Sequence, residues 1–129
     1  MIEVPVSWGE LIDKITILEI KSERMEDEAK RANVGRELDL LRARLGTRGA
    51  LAEVERLARA LRDVNAALWD IEDDIRAHEN AGDFGGRFIE LARSVYITND
   101  KRADLKRELN MVLGSELIEE KSYQAYKVQ

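Results

Sequence analysis

Residues able to do chemistry gather along one flank of a predicted helix. In NAALWDIEDDIRAHE, residues 65–79, Asn65, Glu72 and Glu79 recur every seven residues, with Trp69 and Arg76 on the same side. A seven-residue spacing keeps side chains on one helical face, here beside the apolar seam. On a later predicted helix Asn99, Arg102 and Lys106 take the equivalent places, and Arg102 stands where the apolar pattern requires a core residue. Glu19, on the first predicted helix, projects between Ile12 and Ile15 in an apolar sector, where a carboxylate needs a partner. Guanidinium, ammonium and amide donors in one seam suit a phosphate or carboxylate ligand.

The same residues also admit a plain structural explanation. Glu19, Glu72 and Glu79 balance Arg76, Arg102 and Lys106, and Glu72 to Arg76 is the favoured order of an i,i+4 pair. If Lys14 or Lys21 turns inward the set becomes cationic. If Asp13 or Asp73 does so it suits a divalent cation, although Glu72 and Glu79 lie about 10 Å apart along the axis and cannot share one ion. The pattern names no metal site, no cofactor and no catalytic residue. His78, at a helix end, suits the last carbonyls as well as it suits acid–base work. Asp70, Asp73 and Asp74 read as solvated surface. No phosphate-binding glycine loop or nucleophile motif is present.

Helices must position these groups. Ile2, Val4 and Val6 predict a short extended N-terminus, closed by the Ser7–Glu10 capping box. The first helix starts at Trp8 and carries Leu11, Ile15, Leu18 and Met25 on one face, with Ile12, Ile17 and Ile20 spread around it. It is therefore packed on more than one side. Asp13, Thr16 and Glu23 lie away from the Leu11–Ile15 sector and read as outward. A turn at residues 26–30 leads to a second helix bearing Val34, Leu38, Leu41 and Leu45, stopped by Gly46. A third runs from Ala50 to His78 on the seam Val54, Leu57, Leu61, Val64, Leu68, Ile71 and Ile75. The loop 80–86 turns it into a fourth helix, Arg87 to Leu113, with Phe88, Leu91, Val95, Leu105, Leu109 and Val112 on its seam. After Gly114 the pattern allows either a short docked helix with Leu117 and Ile118 or a tail closed by Tyr123 and Tyr126.

This is one domain, residues 1–129: an all-α antiparallel helical bundle built on a long helical hairpin. Its 129 residues are 44% hydrophobic and 36% charged, with 5% aromatic and no cysteine, the profile of a mostly helical chain with a core of its own. Interspersed charges and a net −5 argue against nucleic acid as a partner. There is no apolar run long enough for a bilayer and no basic leader at the start, so a cytoplasmic protein without membrane association is expected. Helices this long expose more seam than four can cover, which points to a homodimer.

The blocks VPVSWGELIDKITILEIK, LWDIEDDIRAHE, FIELARSVYITNDKRADLKRELN and GSELIEEKSY resemble a small bacterial and phage family of unknown function, over most of the chain. That resemblance implies no functional residues. Two enzyme classes are similar in architecture. The all-α nucleoside triphosphate pyrophosphohydrolases hold magnesium with E-x-x-E and E-x-x-D motifs, to which Glu23 with Glu26, and Asp70 with Asp73, are similar, aspartate standing for glutamate in the second. Helical chorismate mutases hold a dicarboxylate with residue types similar to Arg76, Arg102, Lys106 and Glu72. The resulting expectation is an uncharacterised cytoplasmic helical protein that binds a small anionic metabolite or nucleotide in its polar seam. The alternatives are a structural or adaptor protein acting through helix faces and a magnesium-dependent nucleotide pyrophosphohydrolase.

Overall fold

A computed structural model describes residues 1–117 and 119–128. Four helices form an all-α bundle: α1 (Trp8–Arg24), α2 (Glu28–Leu45), α3 (Ala52–Ala81) and α4 (Gly86–Leu113), with a 3₁₀ turn, Gly46–Ala50, between α2 and α3. Among the described residues there is no strand, and residues 1–6 are exposed coil. Among the described residues no helix is long and apolar enough to cross a membrane.

Local chemistry sets the boundaries. Ser7 Oγ accepts the Glu10 N–H at 3.1 Å, satisfying a donor that the first turn of α1 leaves open. Asp27 does the same for Lys30 at 3.0 Å, so the break between α1 and α2 is tighter than residues 26–30. Gly82 ends α3 with φ +66°, a left-handed conformation that costs glycine little. The hairpin turns on residues 82–85, with Asp83 Oδ1 accepting the Gly85 N–H at 3.1 Å.

α1 is the shared element, packing on α2, α3 and α4. One face sets Leu11, Ile15 and Leu18 against Val34 and Leu38 of α2. Another sets Ile12 against Val54, Leu57 and Leu61 of α3 and Leu109 of α4. Each of these buried side chains contributes about 1.5–3 kcal/mol by leaving water. At the start of α1, Gly9 donates its N–H to Asn110 Oδ1 at 2.7 Å. A Cβ on Gly9 would stand 2.4 Å from the Lys106 carbonyl oxygen, so only a residue without a side chain lets α1 lie this close to α4.

The 17 residues of α1 are far fewer than the 30 of α3. The two run in the same direction, and α1 ends where Arg24 meets Asp70 at 2.7 Å. Beyond that level α3 and α4 continue as a two-helix arm in which Leu91 alone is classed as buried among the described residues. Ile71, Ile75 and Phe88 are half-buried there, while Phe84 and Ile89 are exposed. The α4 seam is also shorter than its sequence implies, because Val112 faces solvent.

After Gly114 the described residues form neither helix nor strand and run back along α4; Ile118 of the docked-helix alternative lies outside the described residues. Glu120 meets Arg107 at 3.2 Å, and Lys121 meets Asp100 at 3.5 Å. Tyr126 donates to Asp100 Oδ2 at 2.5 Å and packs edge-on against Tyr96 at 4.9 Å. That bond to a carboxylate raises the Tyr126 phenol to about 12.

Gly9→Ala is expected to lower stability by about 1–3 kcal/mol through the clash with the α4 backbone, measurable by urea unfolding. For Tyr126 the folded value lies above the ordinary phenol value. The tail contact is therefore intact below about pH 10 and lost as pH rises towards about 12. A phenolate absorbance titration should show a late step near 12 that Tyr126→Phe removes.

Candidate functional site

The polar centre of the bundle is Asp13, 1% exposed, although its position away from the Leu11–Ile15 sector reads as outward. Its face of α1 turns towards the hairpin instead. Arg102 of α4 donates Nε to Asp13 Oδ1 at 2.9 Å and Nη2 to Oδ2, a two-pronged pair. Asn65 of α3 donates Nδ2 to the same Oδ1 at 2.9 Å and to Thr16 Oγ1 at 2.9 Å. The Thr16 hydroxyl in turn donates to the Asp13 carbonyl at 2.8 Å. Every proton direction follows: the carboxylate only accepts, and the Asn65 amide must turn its Nδ2 inward, leaving Oδ1 for the other side. Its bond to Asp13 raises the Arg102 guanidinium above its already high ordinary value, outweighing the effect of burial.

Beside this network an open groove of about 460 Å³ runs between the end of α1 and the hairpin. Asn65, Trp69, Glu72 and Arg76 of α3 and Asn99 and Arg102 of α4 line it, so six of the nine residues singled out in the sequence share one concavity. Ile17, Ile20 and Leu68 form its apolar wall, and Asp73 stands at its edge. Arg102 engages Asp13 through Nε and one Nη2 hydrogen, which leaves both Nη1 hydrogens and the second Nη2 hydrogen as donors not used by Asp13. Arg76 is 80% exposed and 3.6 Å from Glu72, a loose pair that leaves both groups available. The Arg24 guanidinium lies 5.8 Å from the centre of the Trp69 ring, fixing the indole against the end of α1.

The other three, Glu19, Lys106 and Glu79, lie elsewhere. Glu19 joins neither Arg102 nor Lys106; it faces α2 and pairs with Arg42 at 2.9 Å. Lys106 is buried a turn further towards the C-terminus of α4, between Glu10 at 2.8 Å and Glu119 at 2.7 Å. Burial disfavours its ammonium, but the two carboxylates prevail and raise it above the usual lysine value. Glu79 is exposed and does not line the groove. His78 Nδ1 lies 3.3 Å from Asp83 Oδ2 at the hairpin tip, away from the groove.

Sequence alone reads Asp13 and Thr16 as outward, with Asp13 turning in only under the cation alternative, although a signal for their burial is present. Gly9, Asp13, Thr16 and Ile20 are spaced by four, three and four, a second stripe on α1. Its members are small, polar or apolar rather than uniformly apolar, and so it did not register as a buried face.

Two of the four carboxylates in the hydrolase comparison, one from each motif, are engaged by arginines. Glu23 is bonded to Arg62, which lowers it below the usual carboxylate value, and Asp70 is held by Arg24. Among the described residues no three His, Cys, Asp or Glu side chains come together as a metal-ligand set. Asp13 does turn inward, but its oxygens are taken by Arg102 and Asn65 rather than left open for a cation.

Residues 2–128 match one sequence family, described as a Family of unknown function (DUF6165). No curated protein and no solved structure matches the chain.

Removing one member of a buried pair costs more than replacing both, because the partner's charge is left desolvated. Arg102→Met is expected to destabilise by roughly 2–4 kcal/mol in urea unfolding, and Asp13→Leu combined with Arg102→Met to recover most of that loss. Equal unfolding midpoints for wild type and Arg102→Met would show that the pair does not hold the bundle together.

Proposed function

The chain belongs to that family of unknown function, and from this premise we propose that it is a cytoplasmic binding protein for a small organic anion, held in the groove between α1 and the hairpin. One observation carries the reading: Arg102 lines an open groove while its guanidinium is fixed from behind by a buried carboxylate. An arginine already locked in place loses little freedom when it binds, so its remaining N–H groups are a pre-organised anion receptor. Asn99 adds an amide beside it, and Arg76 is free to close over the ligand from the α3 side. Trp69, Leu68 and Ile17 offer an apolar wall for the ligand's body. A volume of about 460 Å³ suits a small molecule.

The adaptor reading retains one specific support. The arm beyond α1 carries exposed Phe84 and Ile89, apolar side chains on a two-helix element that the rest of the bundle does not cover. A homodimer through this arm belongs to the same second reading. It is checked by sedimentation of Ile89→Lys, which should dissociate such a dimer and leave the groove untouched.

The test of the groove uses its own reporter. The two tryptophans lie apart, Trp69 on the groove and Trp8 in the α1–α2 core, and each gives one indole N–H signal. Titration with pentanoate, glutarate and 5-aminopentanoate should move the Trp69 signal with at least one of these acids and leave Trp8 in place. Arg76→Gln should weaken that binding by about tenfold, the worth of one charge-assisted hydrogen bond. If none of the three acids moves Trp69, the groove is not an anion site.

A further inference from the structure

We infer that the ligand of this groove is amphoteric, a small organic molecule with an anionic group at one end and a protonated amine at the other; the inference rests on the anion-binding reading above. The charges on the wall decide it. Arg76 and Arg102 are matched by Glu72 and Asp73, and Asp13 stands directly behind Arg102. A simple anion satisfies the arginines but brings its charge towards two carboxylates with nothing to offer them. A polyanion such as a nucleotide triphosphate fares worse, because each added negative charge meets the same acidic edge. A simple cation leaves the fixed Arg102 donor without an acceptor. A molecule carrying both charges answers both ends.

The groups are also separated along the groove in a definite order. Arg102 and Asn65 meet on the same Asp13 oxygen, so they mark one level of the hairpin. Glu72 lies seven residues beyond Asn65 on the same helix, about 10 Å along its axis, and Asp73 one residue further. Trp69 falls between these levels, one turn from each. The ends are therefore a cationic seat at Arg102 and a net acidic seat at Glu72 and Asp73, whose two carboxylates Arg76, 3.6 Å from Glu72, only partly balances, with an indole between them. Glu72 is only loosely engaged by Arg76, and among the described residues Asp73 has no cation within ion-pair distance. Both can accept an ammonium without breaking a close pair. The anion and amine of a fitting ligand are consequently separated by a short carbon chain, rather than carried on one carbon as in an α-amino acid.

Five-carbon probes of matched size separate these possibilities. Followed at the Trp69 indole signal, 5-aminopentanoate should bind at least about tenfold more tightly than pentanoate, glutarate, pentylamine or norvaline, whose two charges share one carbon. In a Glu72→Gln, Asp73→Asn variant, whose exposed side chains leave the helical circular dichroism unchanged, the preference over pentanoate should fall to within about twofold. Pentanoate or glutarate binding as tightly as 5-aminopentanoate overturns the amphoteric assignment and leaves the anion site standing. Norvaline matching it overturns the separation of the two seats. Pentylamine binding best, or no probe moving Trp69, removes both this inference and the reading beneath it.

Discussion

A buried carboxylate with one arginine across it constrains the whole bundle. Asp13 has left water almost completely, and the cost of that transfer is met by donors from two other helices. α1 can occupy one axial position only, because a shift by one turn would carry Asp13 away from Arg102 and Asn65 together. The apolar contacts of Ile12 with Leu57, Leu61 and Leu109 provide bulk attraction, but such contacts tolerate sliding. The polar triad fixes register, and Gly9 lets the helices approach closely enough for the triad to form.

The same interaction shapes the site. Without Asp13, Arg102 would be a flexible side chain able to reach solvent. With it, two of the guanidinium nitrogens are engaged and the remaining N–H donors are held at a fixed angle. The Asn65 amide is oriented by the same carboxylate, so a single hidden residue determines which atoms the groove offers. Lys106, a turn away, is dedicated instead to Glu10 and Glu119 and ties the C-terminal segment to the start of α1. Buried Lys106 and half-buried Arg102 thus have separate tasks: Arg102 faces the groove, and Lys106 holds the chain end.

Much of this was legible in the sequence because helical periodicity is a strong signal where one face is uniformly apolar. The hairpin, the Ser7 cap and the anomaly of Arg102 in a seam position all rest on that contrast. The flank Asn65, Trp69, Glu72 and Arg76 was found for the same reason, as charges beside a seam. What escaped was not α1 or its packing on more than one side but the burial of Asp13 and Thr16 on one of its faces. When a helix is buried on more than one side its contrast vanishes, and Asp13 looks like an ordinary surface aspartate. Glu19 was misassigned by the same ambiguity: it does sit beside apolar neighbours, but on the side that meets α2. The pairing of Lys106 with Glu119 depends on an irregular segment whose path no periodicity encodes.

The unequal lengths of α1 and the hairpin have a mechanical consequence. The groove lies where three-helix packing gives way to two, which is the level at which a long helical pair is stiff on one side and compliant on the other. Glu72, Asp73 and Arg76 of the groove wall stand on the arm, whereas Ile17 and Ile20 stand on α1, so the groove is built partly from the three-helix body and partly from the two-helix arm.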